Sequence, residues 1–203
     1  MPPWRHGSGA TRNMQSRRHW FPKPYADRVA RLRVTAGFVM VAAFAIFSHP
    51  TANSLEIGLP ASLAGLALRA WAAGHLAKNQ RLATSGPYAF TRNPLYLGTL
   101  LTALGLAAAG DSAGLAVLFG ALFLAVYLPA IELEEQHLTA ILPGYRAYAA
   151  RVPLLLPRWP EGLGPDDFSF ALYQKNREYQ ALLGWLIGAA WLVARAFWLR
   201  LPW

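Results

Sequence analysis

Cysteine is absent from all 203 residues, which removes disulfide scaffolds, thiolate-held zinc and cysteine nucleophiles in one step. Charge is sparse as well: Asp, Glu, Lys and Arg make up 14% of the chain against 55% hydrophobic residues, an unusual balance for a soluble domain. No Gly-x-Gly-x-x-Gly run follows a strand-like stretch, no phosphate-binding P-loop occurs, and no Ser/His/Asp set is suggested by spacing. Nothing therefore points to a soluble Rossmann-type enzyme. Internal repeats are lacking too.

What the chain has instead is apolar sequence in long blocks, parted by short basic or proline-bearing connections. A bilayer core takes about 20 residues of helix. Five blocks approach that size: Val29–Ser48, Leu59–Ala77, Pro94–Gly110, Ser112–Ile131 and Gln180–Leu199. The expectation is an all-α, polytopic membrane helix bundle of about five transmembrane or membrane-embedded helices, one domain over residues 25–203 behind a basic, disordered arm at residues 1–24. Within the arm, Ser16-Arg17-Arg18-His19-Trp20-Phe21 is similar to a twin-arginine export signal, but the apolar run begins too far downstream. A retained first transmembrane helix is expected. The fifth block, with Arg195 and Arg200 at what a full crossing would make its outer end, either spans or lies partly in the interface.

The formal charge of +9 is distributed with a pattern. Arg28, Arg31 and Arg33 precede or open the first block, and the loop from His49 to Gly58 carries no Lys or Arg. Lys78, Arg81 and Arg92 follow the second block, and the Gly110-Asp111 turn again has no basic residue. By the positive-inside rule the N-terminus faces the cytoplasm, in an inner membrane. The positive charge then meets anionic lipid headgroups rather than nucleic acid. Arg146, Arg151, Arg158, Lys175 and Arg177, interleaved with Tyr145, Tyr148, Trp159 and Tyr173, mark the stretch from Glu132 to Tyr179 as an interfacial segment on that same side. Small residues in Ala61–Ala67 and Gly105–Gly110 let helices approach closely in lipid.

Two polar clusters fall on the cytoplasmic side, where burying them near hydrocarbon is costly without partners. The first is Thr84–Gly98. Gly86-Pro87 makes a turn, and Asn93-Pro94 reads as an N-cap with proline at the first helical position. The same helix start, beside Arg92, also suits the carboxylate of an amino-acid-like ligand. Tyr88, Phe90 and Tyr96 serve either an interfacial aromatic belt or a surface for an adenine ring or a cation. The second cluster is Glu132-Leu133-Glu134-Glu135-Gln136-His137-Leu138. Glu134 and Glu135 point about 100° apart on a helix, while Glu134 and His137 share a face. A division of labour follows, one carboxylate for a ribose hydroxyl or a positive charge and the other for Arg92 or another basic residue. Acidic residues at this helix end oppose the helix dipole, which favours a functional role. Glu134-x-x-His137 is half of a di-iron motif whose other half is missing, so no metal is expected. His75 and Lys78, with Asn79 and Arg81 following, fall near the same face.

Taken in order, Gly86-Pro87-Tyr88, Arg92-Asn93-Pro94-Leu95-Tyr96-Leu97-Gly98, Glu134-Glu135-x-x-Leu138, Gly144-Tyr145-x-x-Tyr148 and Val152-Pro153 up to Pro157 resemble the isoprenylcysteine carboxyl methyltransferase and phospholipid methyltransferase superfamily. The resemblance covers residues 76–157 and leaves 158–203 as an amphipathic segment and last helix. It implies a helical membrane methyltransferase that holds S-adenosylmethionine near the cytosolic interface and admits a lipid or other hydrophobic acceptor from the bilayer. It also implies a cofactor pocket at Tyr88, Arg92, Asn93, Pro94, Tyr96, Leu97, Glu134 and Glu135, with His75 beside it. Arg92, Glu134 and Glu135 are then the catalytic candidates. The family often has His where this chain has Asn93. Methyl transfer is an in-line displacement at a carbon already activated by the sulfonium, so positioning and exclusion of water matter more than a nucleophilic side chain. A carboxylate acceptor would be oriented by Arg92 or a neighbouring Arg, whereas an amine would give its proton to a carboxylate such as Glu134. A nicotinamide-dependent membrane reductase of related fold and a non-catalytic membrane scaffold are the rival readings.

Overall fold

The computed structural model describes residues 23–78, 80–164 and 166–198. The basic arm up to residue 22, Asn79 and the end of the fifth block at residues 199–200 lie outside the described residues, as do the side chains of Arg28, Arg31 and Arg33. Every regular element among the described residues is helical. They are α1 (Lys23–Phe47), α2 (Ala52–His75), a 3-10 turn (Gly86–Ala89), α3 (Pro94–Ala109), α4 (Ala113–Leu122), a π-helical turn (Phe123–Tyr127), α5 (Leu128–Ile141), α6 (Tyr145–Arg151), α7 (Phe170–Lys175) and α8 (Tyr179–Trp198).

Local chemistry starts these helices where they start. Thr51 opens α2 with a capping box: its hydroxyl accepts from Ser54 N at 3.1 Å, and Ser54 Oγ accepts from Thr51 N at 2.9 Å. Both satisfy amides that have no partner inside the helix. Ser112 does the same for α4 by accepting from Leu115 N, and Pro94 opens α3.

Two of the five expected blocks form helices long and apolar enough to cross a bilayer: Ala113–Ile141, which joins α4, the π turn and α5, and Tyr179–Trp198. The other three are helical as well. In α1 the apolar part among described side chains is Thr35–Phe47, while α2 and α3 fall short of that test for a physical reason. Glu56, Arg69 and His75 dilute α2, and the 16 residues of α3 reach about 24 Å against the roughly 30 Å of hydrocarbon. The fourth block is longer than its apolar composition suggested, because the helix runs on through Glu132–His137.

The α2–α3 pair is the centre of the bundle. A Cβ placed on Gly58 would lie 2.1 Å from Ala109 N, one on Gly105 2.3 Å from Ser62 N, and one on Gly65 2.4 Å from Thr102 N. Backbone therefore lies directly on backbone along this crossing, the close approach that small residues permit in lipid.

Polar clasps fasten the C-terminal helices to this pair. Arg69 on α2 makes a two-pronged ion pair with Glu178 at 2.7 and 3.1 Å and also donates to Thr99 on α3. Trp185 on α8 donates to Ser62 Oγ at 2.8 Å. Arg195, the residue that made the fifth block ambiguous, donates to the carbonyls of Ala45 and Ile46, both at 3.1 Å. It thereby serves the unpaired carbonyl end of α1.

Substitution tests the crossing. Gly105→Leu or Gly58→Leu is expected to lower unfolding stability by about 1–3 kcal/mol or more, read as the midpoint of a detergent-denaturation curve. Gly120→Ala, with no atom within 4 Å of the new methyl, is expected to leave the midpoint unchanged or raise it slightly.

Candidate active site

The lead-in to α3 is folded by its own residues and then strapped from outside. Gly86 adopts φ +55, and a Cβ there would sit 2.6 Å from His75 Nε2, so glycine is needed for both conformation and space. Across this segment runs the chain after α6: Arg92 N donates to Pro153 O at 2.9 Å, and Arg158 N donates to Phe90 O at 3.0 Å. Thr91 Oγ1 donates to Leu154 O at 3.2 Å. These bonds occupy backbone groups that would otherwise be buried without partners.

Against this lead-in, α5 brings its two carboxylates. Glu135 receives Arg92 Nη1 at 3.0 Å, Tyr145 Oη at 3.0 Å and Asn93 Nδ2 at 3.4 Å. Glu134 receives Tyr96 Oη at 3.0 Å. Neighbouring helix positions thus serve different partners, as their angular offset requires. The Asn93 side chain makes no cap bond to α3. It is spent on Glu135 and on Leu154 O at 3.0 Å, so the capping expected of it is absent and it acts as a tie between segments.

A cavity of about 70 Å³ opens here. Tyr88, Arg92, Asn93, Pro94, Tyr96 and Glu134 line it, together with Lys78, Arg81, Leu138, Leu142, Tyr145 and Tyr148. Leu97 does not line the cavity. Glu135 does not either; it holds Arg92, which does. His75 lies apart, buried beneath Gly86, with Nδ1 3.2 Å from Ser85 Oγ, which in turn donates to Asp166 at 3.3 Å. Its position three residues before Lys78 gave no sign of that packing. Tyr145 and Tyr148 were not among the site candidates, although their spacing of three puts both on one face of α6 and Gly144, at φ +81, turns the chain into it. Tyr148 Oη donates to Tyr88 O at 2.8 Å, so α6 closes the site over the lead-in.

The lining carries both signs, with Lys78, Arg81 and Arg92 against Glu134. That suits a ligand bearing a carboxylate and a cationic centre. Arg92 Nη1 is held by Glu135, whereas its Nε is buried and has no partner among the described residues, so that donor is left over for something that enters. Burial raises the hydroxyls of Tyr88, Tyr145 and Tyr148 well above the ordinary tyrosine range, and for Tyr145 the adjacent Glu135 charge adds to this. The phenols of Tyr145 and Tyr148 therefore stay protonated as donors. Below the cavity, Tyr96 meets Tyr127 edge-on at 6.1 Å, and Tyr127 stacks on Phe123 at 5.4 Å.

Residues 34–144 match the family model described as phospholipid methyltransferase, a range that holds Arg92 and both carboxylates. The chain is 32% identical over 140 residues to the cobalt-zinc-cadmium resistance protein CzcN of Cupriavidus metallidurans, covering 64% of this chain and 64% of that protein. It is 29% identical over 138 residues to the nickel-cobalt-cadmium resistance protein NccN of Alcaligenes xylosoxydans xylosoxydans, covering 64% and 65%. The match thus spans just under two thirds of the length of these relatives. No solved structure matches the chain.

A double-mutant cycle of Arg92→Gln and Glu135→Gln is expected to show a coupling of about 1 kcal/mol or more in unfolding stability; zero coupling would mean that the pair does not form. Tyr145→Phe is expected to cost about 1 kcal/mol. Because the folded protein raises this phenol above 10.0, its contribution is complete below that pH and is lost as pH rises beyond it. The Phe variant should therefore show a shallower alkaline loss of stability.

Proposed function

This chain belongs to the phospholipid methyltransferase family, and we propose that it transfers a methyl group from S-adenosylmethionine to a lipid or other hydrophobic acceptor at the cytoplasmic face of an inner membrane. The observation that carries the reading is the two-signed cavity at the start of α3, with the spare Nε of Arg92 buried beside it.

The residues present fit the cofactor by chemistry. Arg92 and the unpaired amides at the start of α3 would hold its carboxylate, Glu134 would face a ribose hydroxyl or the positive sulfur, and Tyr88 and Tyr96 would supply aromatic walls. When bound, the cofactor supplies an electrophilic methyl carbon. Glu135 keeps Arg92 aimed, and Tyr145 with Asn93 keeps Glu135 aimed. Leu138 and Leu142 line the cavity with hydrocarbon and keep water from competing with the acceptor. An amine acceptor would pass its proton to Glu134, and a carboxylate acceptor would be oriented by Arg92. At about 70 Å³ the cavity takes only part of a nucleoside-sized molecule, so loading widens it.

A hydrophobic acceptor is supported by a second cavity of about 440 Å³ among α1, α3, α4 and α8, walled by Met40, Phe44, Leu106, Leu115, Phe119 and Trp191. Phe119 leads from it through Phe123 and Tyr127 to Tyr96 beside Glu134. Hydrocarbon would sit in this cavity with the reacting group at the polar end. The two relatives are named for metal resistance. Among the described residues no three His, Asp or Glu side chains come together to hold a metal ion.

Membranes containing the chain, incubated with methyl-labelled S-adenosylmethionine, are expected to transfer label to a lipid-extractable product. Arg92→Gln and Glu134→Gln are each expected to lower the rate by about tenfold or more. Equal labelling by wild type and both variants, or no label in any acceptor, would overturn the proposal.

A further inference from the structure

The segment that straps the α3 lead-in has an outer side that the proposed reaction does not use. Leu156, Trp159 and Leu163 are 78%, 86% and 55% exposed, and they stand in a stretch that joins α5 and α6 to α7 and α8. Trp159 continues an aromatic line: it meets Phe90 edge-on at 5.7 Å, and Phe90 meets Trp71 on α2 at 6.2 Å. Tryptophans in such a line mark the depth of the lipid headgroups.

Beside Trp159 lies a separate cavity of about 250 Å³ with Arg151 and Arg158 on its wall. Arg158 Nη2 donates to Arg151 O at 2.9 Å, which keeps the two residues side by side at the end of α6. Neither guanidinium pairs with a carboxylate among the described residues. Glu161 also lines the cavity, so its charged groups sum to one net positive charge. Two guanidiniums without a carboxylate partner among the described residues, flanked by exposed apolar side chains and the ring of Trp159, match a phosphate that arrives on a lipid.

We propose that this cavity seats the phosphate of an anionic phospholipid of the protein's own bilayer, between Arg151 and Arg158, with Leu156 and Trp159 set into the headgroup layer. A soluble phosphate would satisfy the arginines but would leave Trp159, Leu156 and Leu163 facing water. Glu161 accepts from a headgroup hydroxyl such as that of a glycerol. Tyr148 lines this cavity as well as the one at Arg92, so a lipid seated on one side bears on the wall of the other.

The full chain in a neutral detergent, without cofactor, can be titrated with phosphatidylglycerol and with phosphatidylcholine, and the retained lipid counted by native mass spectrometry. Saturable retention of phosphatidylglycerol over phosphatidylcholine is expected. Arg151→Gln with Arg158→Gln should weaken it by about tenfold or more, the two Arg→Lys changes should keep most of it, and Glu161→Gln should preserve or strengthen it. Equal retention of both lipids by the wild-type chain would overturn the proposal, and this comparison decides even if the glutamine variant fails to fold. So would displacement of the lipid by inorganic phosphate at matched concentration, which would assign the site to a soluble anion. Because no cofactor is present, a failed methyl-transfer assay leaves this result standing.

Discussion

The carboxylate of Glu135 is the point on which the polar end of the bundle depends. It takes a guanidinium and an amide from Arg92 and Asn93 in the α3 lead-in and a phenol from Tyr145 on α6, so it ties two segments to α5. A partly buried carboxylate is best tolerated when its lone pairs are filled by charged or strongly polar donors. Removing one donor does more than delete a bond, since the charge left behind is undercompensated. The same arrangement frees its neighbour. Because Glu135 neutralises Arg92, Glu134 is bonded to Tyr96 alone among the cavity groups described and can face whatever enters.

The bundle beneath makes this possible by fixing α2 against α3 with almost no tolerance. Gly58, Gly65 and Gly105 put the two backbones in contact, which holds the start of α3 at one height relative to the end of α2. The strap from Pro153 to Arg158 then has a rigid edge to bond. Rigid helix contact in the apolar layer and a hydrogen-bonded strap at its polar end work together: each fixes the position of the polar groups at the start of α3.

Much of this was legible from residue type and spacing. The opposed directions of Glu134 and Glu135 followed from helix geometry, and the pairing of one of them with Arg92 followed from charge. Small residues in Ala61–Ala67 and Gly105–Gly110 foretold close helix approach, though not that α2 and α3 are the pair that meets. Other features were out of reach because they depend on which side chain wins a competition. Asn93 stands where a cap would stand, yet Glu135 and Leu154 O outbid the helix amides for its side chain. His75 falls near the site along the chain but is drawn under Gly86 by Ser85. Tyr145 and Tyr148 looked like interfacial aromatics, and only the fold turns their hydroxyls inward. Hydropathy marked five apolar blocks without distinguishing the two helices that meet the length and composition of a span from α2 and α3, which fall short of it.

The π-helical turn at Phe123–Tyr127 decides which carboxylate looks inward. A widened turn of this kind amounts to one residue more than regular α-helix would use, and each residue advances the helix by about 100°. A one-residue deletion there would barely alter the hydropathy of the span, yet it would rotate all of α5 in phase. Glu134 would leave Tyr96, and Glu135 would swing off Arg92. The sequence of this helix is thus a combination lock as well as a membrane segment: composition sets its depth, and residue count sets its angle.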